Sequence, residues 1–384
     1  VRAGTGERPA WNKWSSADVS LVAMPVFHIA GSGFGTMVLY HGVKGVIARE
    51  FDPNKVLDFI VDFGITKLFM VPAAMQFVVR QPRAKTVDFS RLKYMLYGAS
   101  PIPAALLKEC IEVFKCGFVQ MYGMTETTGT IVALPPEDHI EGLERMRSAG
   151  KALAGVELAI LDADGKPLPP GEVGEIATRS GSNMAGYWNL PEATAKTIDG
   201  DGWLRTGDIC RIDADGFVYI MGRAKDVIIR GGHNIDPRAI EDAALAFPGV
   251  ALAAAVGRPD SYAGEVPMLF VSAQPGAHID PQALAAFVQD NILEPPARPR
   301  VVSVIAEMPV TPVGKIFKPK LREIAAGEAA RELLALEGLS GDVSVDAITD
   351  PSRGLYLSVS APPDKAETAE RLLKKFPVKV ELRT

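Results

Sequence analysis

Between Val19 and Met121, short apolar runs alternate with stretches of helical periodicity, and no other feature of the chain restricts its fold so tightly. Val19 to Met24 reads as a strand. Asp52 and Pro53 form a cap and an N1 proline, after which Val56, Leu57, Ile60 and Val61 recur on one helix face. Lys67 to Val71 and Tyr94 to Tyr97 are strand-like; Leu106, Leu107, Cys110, Ile111 and Phe114 mark a second helix face; Gly117 to Met121 returns to strand. This pitch predicts parallel βαβ units with right-handed crossovers. In such sheets ligands sit beyond the carboxyl ends of the strands, so the loops there are where chemistry is expected.

From about Gly155 the pattern becomes β-rich, with Asp162-Ala163-Asp164-Gly165 and Asp213-Ala214-Asp215-Gly216 as turn signals between short strands. Near Lys225 a third style begins. Asp236-Pro237 caps a helix with Ile240, Ala243, Ala244 and Phe247 inward, strands follow at 251–256 and 268–272, and Asp280-Pro281 opens another helix. A last stretch, 342–384, reads strand, strand, helix, strand, too small for more than a marginal core by itself. The expected fold class is α/β: a parallel βαβ sheet layer plus a β-rich subdomain, then a small mobile α+β C-terminal domain. The expected divisions are 1–154, 155–224, 225–325 and a ββαβ appendage at 342–384.

Composition excludes several functions. With 384 residues, 47% hydrophobic and 23% charged, the chain has material for sizeable cores and is no disordered polymer. A net charge of −5 without a basic run argues against nucleic acid as a partner. No apolar run approaches the roughly 20 residues a membrane-spanning helix needs. Three cysteines without metal-like spacing fit neither a disulfide scaffold nor a zinc site, and point to a reducing, cytoplasmic setting.

Four loops offer chemistry. In Met121-Tyr122-Gly123-Met124-Thr125-Glu126-Thr127-Thr128-Gly129, hydroxyls and a glycine after a strand suit phosphate oxygens, and Glu126 is a hard oxygen ligand for Mg²⁺. Taken alone, the segment is as readily a capped turn that starts a helix. Asp208, after Thr206-Gly207, could accept two hydrogen bonds from a ribose diol, though alone it reads as an Asx turn. Gly222-Arg223-Ala224-Lys225-Asp226 leads to Arg230-Gly231-Gly232-His233, whose glycines permit a reversal or close approach. Lys315, on the Pro312-Val313-Gly314 loop, is a point charge suited to a carboxylate or phosphate, and by itself an ordinary surface lysine.

In this order the loops resemble the adenylate-forming superfamily of acyl-CoA synthetases, luciferases and peptide-synthetase adenylation domains. The resemblance runs from Leu21 to Leu321. It rests on Pro25-Val26-Phe27-His28, Tyr97-Gly98-Ala99-Ser100-Pro101, the Tyr122-to-Glu126 loop, Gly186-Tyr187-Trp188, Thr206-Gly207-Asp208, Arg223 and Gly314-Lys315. It implies an enzyme that joins a carboxylic acid to ATP, giving acyl adenylate and pyrophosphate, then passes the acyl group to CoA. By that resemblance Lys315 supplies positive charge in the first step and Thr125 bonds the α-phosphate. Glu126 helps hold Mg²⁺, and Asp208 with Arg223 binds the ribose. Gly98, Ala99 and Ser100, with Met121, Tyr122 and Gly123, surround the nucleotide; His28 lies near the phosphates and the acyl entrance. Lys225 takes the hinge position of a rotating small domain, and Arg230, Gly231, Gly232 and His233 face the CoA thiol arm.

The loop after Phe27 reads His28-Ile29-Ala30-Gly31, where amino-acid-activating relatives carry an Asp for the substrate ammonium; a fatty, alicyclic or aryl acid is expected instead. The family's Ser/Thr/Gly-rich phosphate loop ending in Pro-Lys has no counterpart before His28, where only Gly4-Thr5-Gly6 stands. A carboxyl-terminal portion of such an enzyme is therefore expected. Lys318 stands where the family commonly has Arg, keeping the charge without the bidentate fork. Delivery to a carrier-protein thiol and a non-catalytic nucleotide-binding fragment are the competing readings. Oligomeric state is left open.

Overall fold

The computed structural model describes residues 9–383 apart from 141, 143, 224, 225, 312, 313, 340, 351 and 352. The chain forms two compact units: Val1–Ala224 with Pro312–Lys315, and Lys225–Thr311 with Ile316–Thr384.

The first unit is built on a seven-stranded sheet of β1 (Val19–Val22), β2 (Lys44–Ile47), β3 (Lys67–Met70), β4 (Tyr94–Gly98), β5 (Gly117–Met124), β6 (Gly129–Leu134) and β7 (Lys151–Ala152), in the order β2-β1-β3-β4-β5-β6-β7. The first five run parallel; β6 and β7 are antiparallel additions. Helices α1 (Ile29–His41), α2 (Pro53–Asp62), α3 (Pro72–Val79) and α4 (Ala104–Phe114) connect them. All four residues of β3 are buried, which is why Leu68–Met70 reads as an unbroken apolar run after Lys67 rather than an alternating one. Asp52 Oδ1 accepts the backbone N–H groups of Asn54 and Lys55, so the expected cap of α2 forms, with Pro53 at the position where its missing N–H costs nothing. The most unusual core residue is Lys67, 1% exposed. Its ammonium donates to the backbone oxygens of Trp11 and Lys13 and lies 4.3 Å from the Trp14 ring. The charge is thereby solvated by carbonyls and a π face.

Two local expectations need correction. The Met121–Gly129 segment does not follow a strand: β5 itself continues to Met124, with a register shift at Tyr122/Gly123. Nor does it start a helix, because Thr125–Thr127 is a single 3₁₀ turn that hands the chain to antiparallel β6. Likewise Thr206-Gly207-Asp208 is not a turn between elements. It is a bulge inside one strand.

That strand belongs to the second sheet of this unit: β8 (Val156–Leu161), β9 (Val173–Ser180), β10 (Leu204–Ile212) and β11 (Val218–Arg223), in the order β11-β10-β9-β8 and wholly antiparallel. The pairing of β10 with β9 jumps between Arg205 and Ile209, so the three intervening residues leave the ladder. The short helix α5 (Pro191–Thr197) precedes β10. Ile131 and Val132 of β6 share an apolar cluster with Ile160, Ile176, Cys210 and Val218, which fixes the second sheet against the edge of the first.

The second unit contains β12 (Ile228–Arg230), β13 (His233–Ile235), α6 (Pro237–Leu245), β14 (Val250–Asp260), β15 (Gly264–Ala273), α7 (Pro281–Asn291) and β16 (Val301–Val304). The five strands make one sheet centred on β15. A 19-residue helix, α8 (Lys318–Leu336), follows and runs well past Leu321. Beyond it, β17 (Ser344–Asp350), β18 (Gly354–Ser360), α9 (Pro363–Leu373) and β19 (Lys379–Leu382) form the three-stranded ββαβ piece. The expectation of a marginal, self-contained core for it misses one support. Leu321 and Ala325 of α8 join the apolar cluster of β14 and β15. From the next residue on, Ala326, Ala329, Ala330 and Leu334 join that of Val345, Leu357, Val359, Leu372 and Leu373.

Candidate active site

Side chains from both sheets of the first unit meet at the carboxyl end of β5. Tyr122 donates its hydroxyl to Asp208 Oδ2 at 2.6 Å, 86 residues along the chain. The bulge in β10 turns Asp208 toward it, and Thr206 Oγ1 accepts the Asp208 backbone N–H at 3.1 Å. On the neighbouring strand Arg223 pairs with Asp208 in register, its Nε 3.0 Å from Oδ1. Asp208 is buried, and each oxygen has one of these partners. Burial, then the neighbouring Asp208 charge, holds the Tyr122 phenol well above its ordinary range, so it stays a donor.

Lys315 groups with this unit. Burial and the Arg223 charge lower its pKa, while Asp208 pulls the other way. The ammonium therefore lies in the field of the Asp208–Arg223 pair. His28 caps α1, its Nδ1 accepting the Ala30 N–H at 3.2 Å. That bond fixes the tautomer with the proton on Nε2. Burial, then the Lys315 charge, depresses its pKa, so the ring is a neutral donor.

Beside these, Gly98 ends β4 in register with Met121 of β5, and Ala99 takes a left-handed φ of 67° directly after it. A Cβ at Gly123 would stand 1.9 Å from the Gly129 carbonyl oxygen, so only glycine lets β5 and β6 close at this point. The turn they enclose is held by Thr127, whose buried hydroxyl accepts the Met124 N–H and donates to the Gly129 oxygen at 2.7 Å. Thr125 points outward, exposed. The Glu126 backbone oxygen accepts the Met184 N–H at 2.7 Å, and its Oε1 accepts the Tyr187 hydroxyl at 2.9 Å. No cluster of three metal-ligating side chains occurs among the described residues. Mg²⁺ needs no such cage, since it is commonly held by one or two carboxylates together with substrate phosphates. A half-exposed Glu126 beside an outward hydroxyl fits that mode.

The structure thus brings His28, Tyr122, Asp208, Arg223 and Lys315 into one electrostatic neighbourhood, with Gly98, Ala99, Met121 and Gly123 on the adjoining strand ends; Ser100 follows Ala99. Arg230, Gly231, Gly232 and His233 belong to the second unit, where β12 and β13 form a hairpin with Gly231 and Gly232 at its tip. Arg230 there donates to the Pro296 oxygen at 2.7 Å. Lys225 lies outside the described residues, as does Gly4-Thr5-Gly6. Lys318 forms a largely buried pair with Glu241 at 2.7 Å within the second unit. Sequence reasoning found Gly186-Tyr187-Trp188 only as a point of resemblance and gave Tyr187 no task; its bond to a carboxylate 61 residues away has no local signal.

Residues 3–188 match the model of the AMP-binding enzyme family, and residues 239–315 that of the AMP-binding enzyme C-terminal domain. The chain is 39% identical over 325 residues to the fatty acid–acyl-carrier-protein ligase ScoC of Streptomyces coeruleorubidus, covering 84% of this chain and 62% of that protein. It is 36% identical to the medium/long-chain-fatty-acid–CoA ligase FadD8 of Mycobacterium tuberculosis, covering 81% and 55%. Among solved structures, the amide bond synthetase McbA of Marinactinospora thermotolerans superposes with a TM-score of 0.73 at 34% identity, covering 80% and 62%. The chain therefore spans about three fifths of the length of the proteins it matches. It belongs to the adenylate-forming superfamily of AMP-binding enzymes.

Proposed function

We propose that the protein activates a carboxylic acid with ATP, forming an acyl adenylate and pyrophosphate, and transfers the acyl group to the thiol of CoA. The observation that carries this reading is the Tyr122–Asp208–Arg223 cluster with Lys315 in its field.

In the first half-reaction the acid's oxygen attacks the α-phosphorus and pyrophosphate leaves. Negative charge gathers on the α-phosphate oxygens, and fixed positive charge and donors there lower the barrier. Lys315 is assigned as that charge, Thr125 as the α-phosphate donor, and His28 as a neutral Nε2–H donor near the same oxygens. Asp208 receives the ribose hydroxyls, with Arg223 and Tyr122 holding the carboxylate in place. Gly98, Ala99, Ser100, Met121 and Gly123 line the nucleotide. Mg²⁺, when bound through Glu126 and the phosphates, supplies charge neutralisation there. In the second half-reaction the Arg230–His233 hairpin is assigned to the pantetheine arm, with Lys225 as the pivot.

The first turn of α1 contains no acidic residue, which supports an acid without an ammonium group. A fatty, alicyclic or aryl acid is the proposed substrate class. The likeness to ScoC supports a second destination for the acyl group, a carrier-protein thiol. Pyrophosphate release with ATP and a panel of such acids, with CoA, with an acyl-carrier protein, and with neither, separates the two. Release with no acid in the panel would leave only nucleotide binding and overturn the ligase reading. Lys315→Ala is expected to lower adenylate formation by about 10²-fold or more, while supplied acyl adenylate is still converted to thioester. Adenylate formation at the normal rate would remove Lys315 from its role.

A further inference from the structure

We infer that Tyr187 is a positioning residue for metal binding: its hydroxyl orients the Glu126 carboxylate toward the nucleotide's divalent cation. The inference rests on the reading of Glu126 given above and extends it to a residue with no assigned task.

The geometry is a two-point clamp. Met184 donates its backbone N–H to the Glu126 backbone oxygen at 2.7 Å, and three residues on, the Tyr187 hydroxyl donates to Glu126 Oε1 at 2.9 Å. Main chain and side chain of residue 126 are thus both held by the 184–187 segment. The segment is itself braced. Thr194, in α5, accepts the Tyr187 N–H at 2.9 Å through Oγ1 and donates to the Leu190 oxygen at 3.0 Å. At Gly186 φ is 153° and a Cβ would stand 2.8 Å from Thr194 Cγ2, so the approach of the two chains requires glycine.

A lone carboxylate on a one-turn loop has free χ angles and would lose them on binding a cation. A donor fixed on one oxygen removes that freedom in advance and leaves the other oxygen for the cation, as outer-shell partners of metal ligands do. Removing such a partner typically weakens metal affinity about 10–100-fold.

The test titrates Mn²⁺ into the full chain with ATP, bound metal being read by its electron paramagnetic resonance, for the wild type and for Tyr187→Phe, Thr194→Val and Glu126→Gln. Metal-free ATP affinity and the thermal midpoint are measured alongside. Tyr187→Phe is expected to weaken Mn²⁺ binding roughly tenfold or more, with metal-free ATP affinity and midpoint unchanged; Thr194→Val shifts it in the same direction by less. Unchanged Mn²⁺ affinity in Tyr187→Phe, with loss in Glu126→Gln, overturns the inference and leaves the Glu126 reading standing. Equal loss of metal and metal-free ATP binding marks Tyr187 as merely structural and also overturns it. If Glu126→Gln changes nothing, or no variant holds Mn²⁺ above the level of free ATP, the Glu126 reading falls first and this inference with it.

Discussion

Asp18 shows how a single buried carboxylate ties stability to pH. It is 2% exposed and lies 2.7 Å from Lys93 Nζ. Burial alone would raise its pKa, but hydrogen bonds from Lys93, the Ser15 N–H and the Thr66 hydroxyl outweigh that and hold it at about 2. The folded pKa lies below the ordinary aspartate value of 3.8, so the unfolded chain binds more protons in acid. The group's stabilisation is full above pH 3.8 and is lost as pH falls through the folded value. Asp18→Asn is expected to cost about 1–2 kcal/mol in urea unfolding at pH 7, with a difference that shrinks toward zero near pH 2. An equal difference at both pH values would show that Asp18 acts through packing alone. Of the candidate site residues, Asp208, Arg223 and Lys315 stand on short glycine-bearing segments, but singly Asp208 reads as an Asx turn and Lys315 as a surface lysine, and only the order of the loops along the chain singled them out. Tyr122 was found with its loop, but its bond to Asp208 depends on how two sheets pack, which no local pattern encodes.

Among the elements, the β5–β6 pair and its enclosed turn decide where Thr125 and Glu126 stand. Gly123→Ala would drive a methyl group into the Gly129 carbonyl. Because backbone on both sides is locked by Thr127, the strands must part, at an expected cost of about 2–3 kcal/mol. Thermal unfolding reads the stability change, and a nucleotide titration should show affinity falling with it. A midpoint within 1 °C of wild type, an order-of-magnitude allowance for no change, would contradict this account of the turn. The elements anticipated from sequence included those with a cap or a clear apolar stripe, α2, α4, α6 and α7, and the parallel strands β1, β3, β4 and β5, but not β2. Helix α1 was missed because Ile29–His41 is apolar almost all round and carries Gly31, Gly33 and Gly35, which blur any stripe. The β10 bulge was read as a turn because Gly207 signals reversal equally well in either setting.

For the molecule as a whole, the sequence argued correctly for an α/β class, and it drew the C-terminal unit to residue 325, inside α8. A change of style is visible in a sequence only where composition changes, and the alanine-rich Lys318–Leu336 run passes from one core to the next without any. Leu357, wholly buried against the second of these cores, provides a test. Leu357→Ala is expected to cost about 2–5 kcal/mol. Hydrogen exchange should then quicken across 326–334 as well as in β17 and β18, while Leu321 keeps its protection. Protection confined to the old pattern at 326–334 would mean that the carboxyl-terminal half of α8 stands without the sheet below it.

That shared helix also sets how the carboxyl-terminal region answers mechanical load. α8 works as a strut with its two ends anchored in different cores, Leu321 and Ala325 in one and Ala326 to Leu334 in the other. Tension applied beyond β19 first reaches a three-stranded sheet that is bolted to the strut along its side. A tether, tag or neighbouring protein attached at that end therefore grips the α+β unit rigidly, instead of trailing from it on a slack leash.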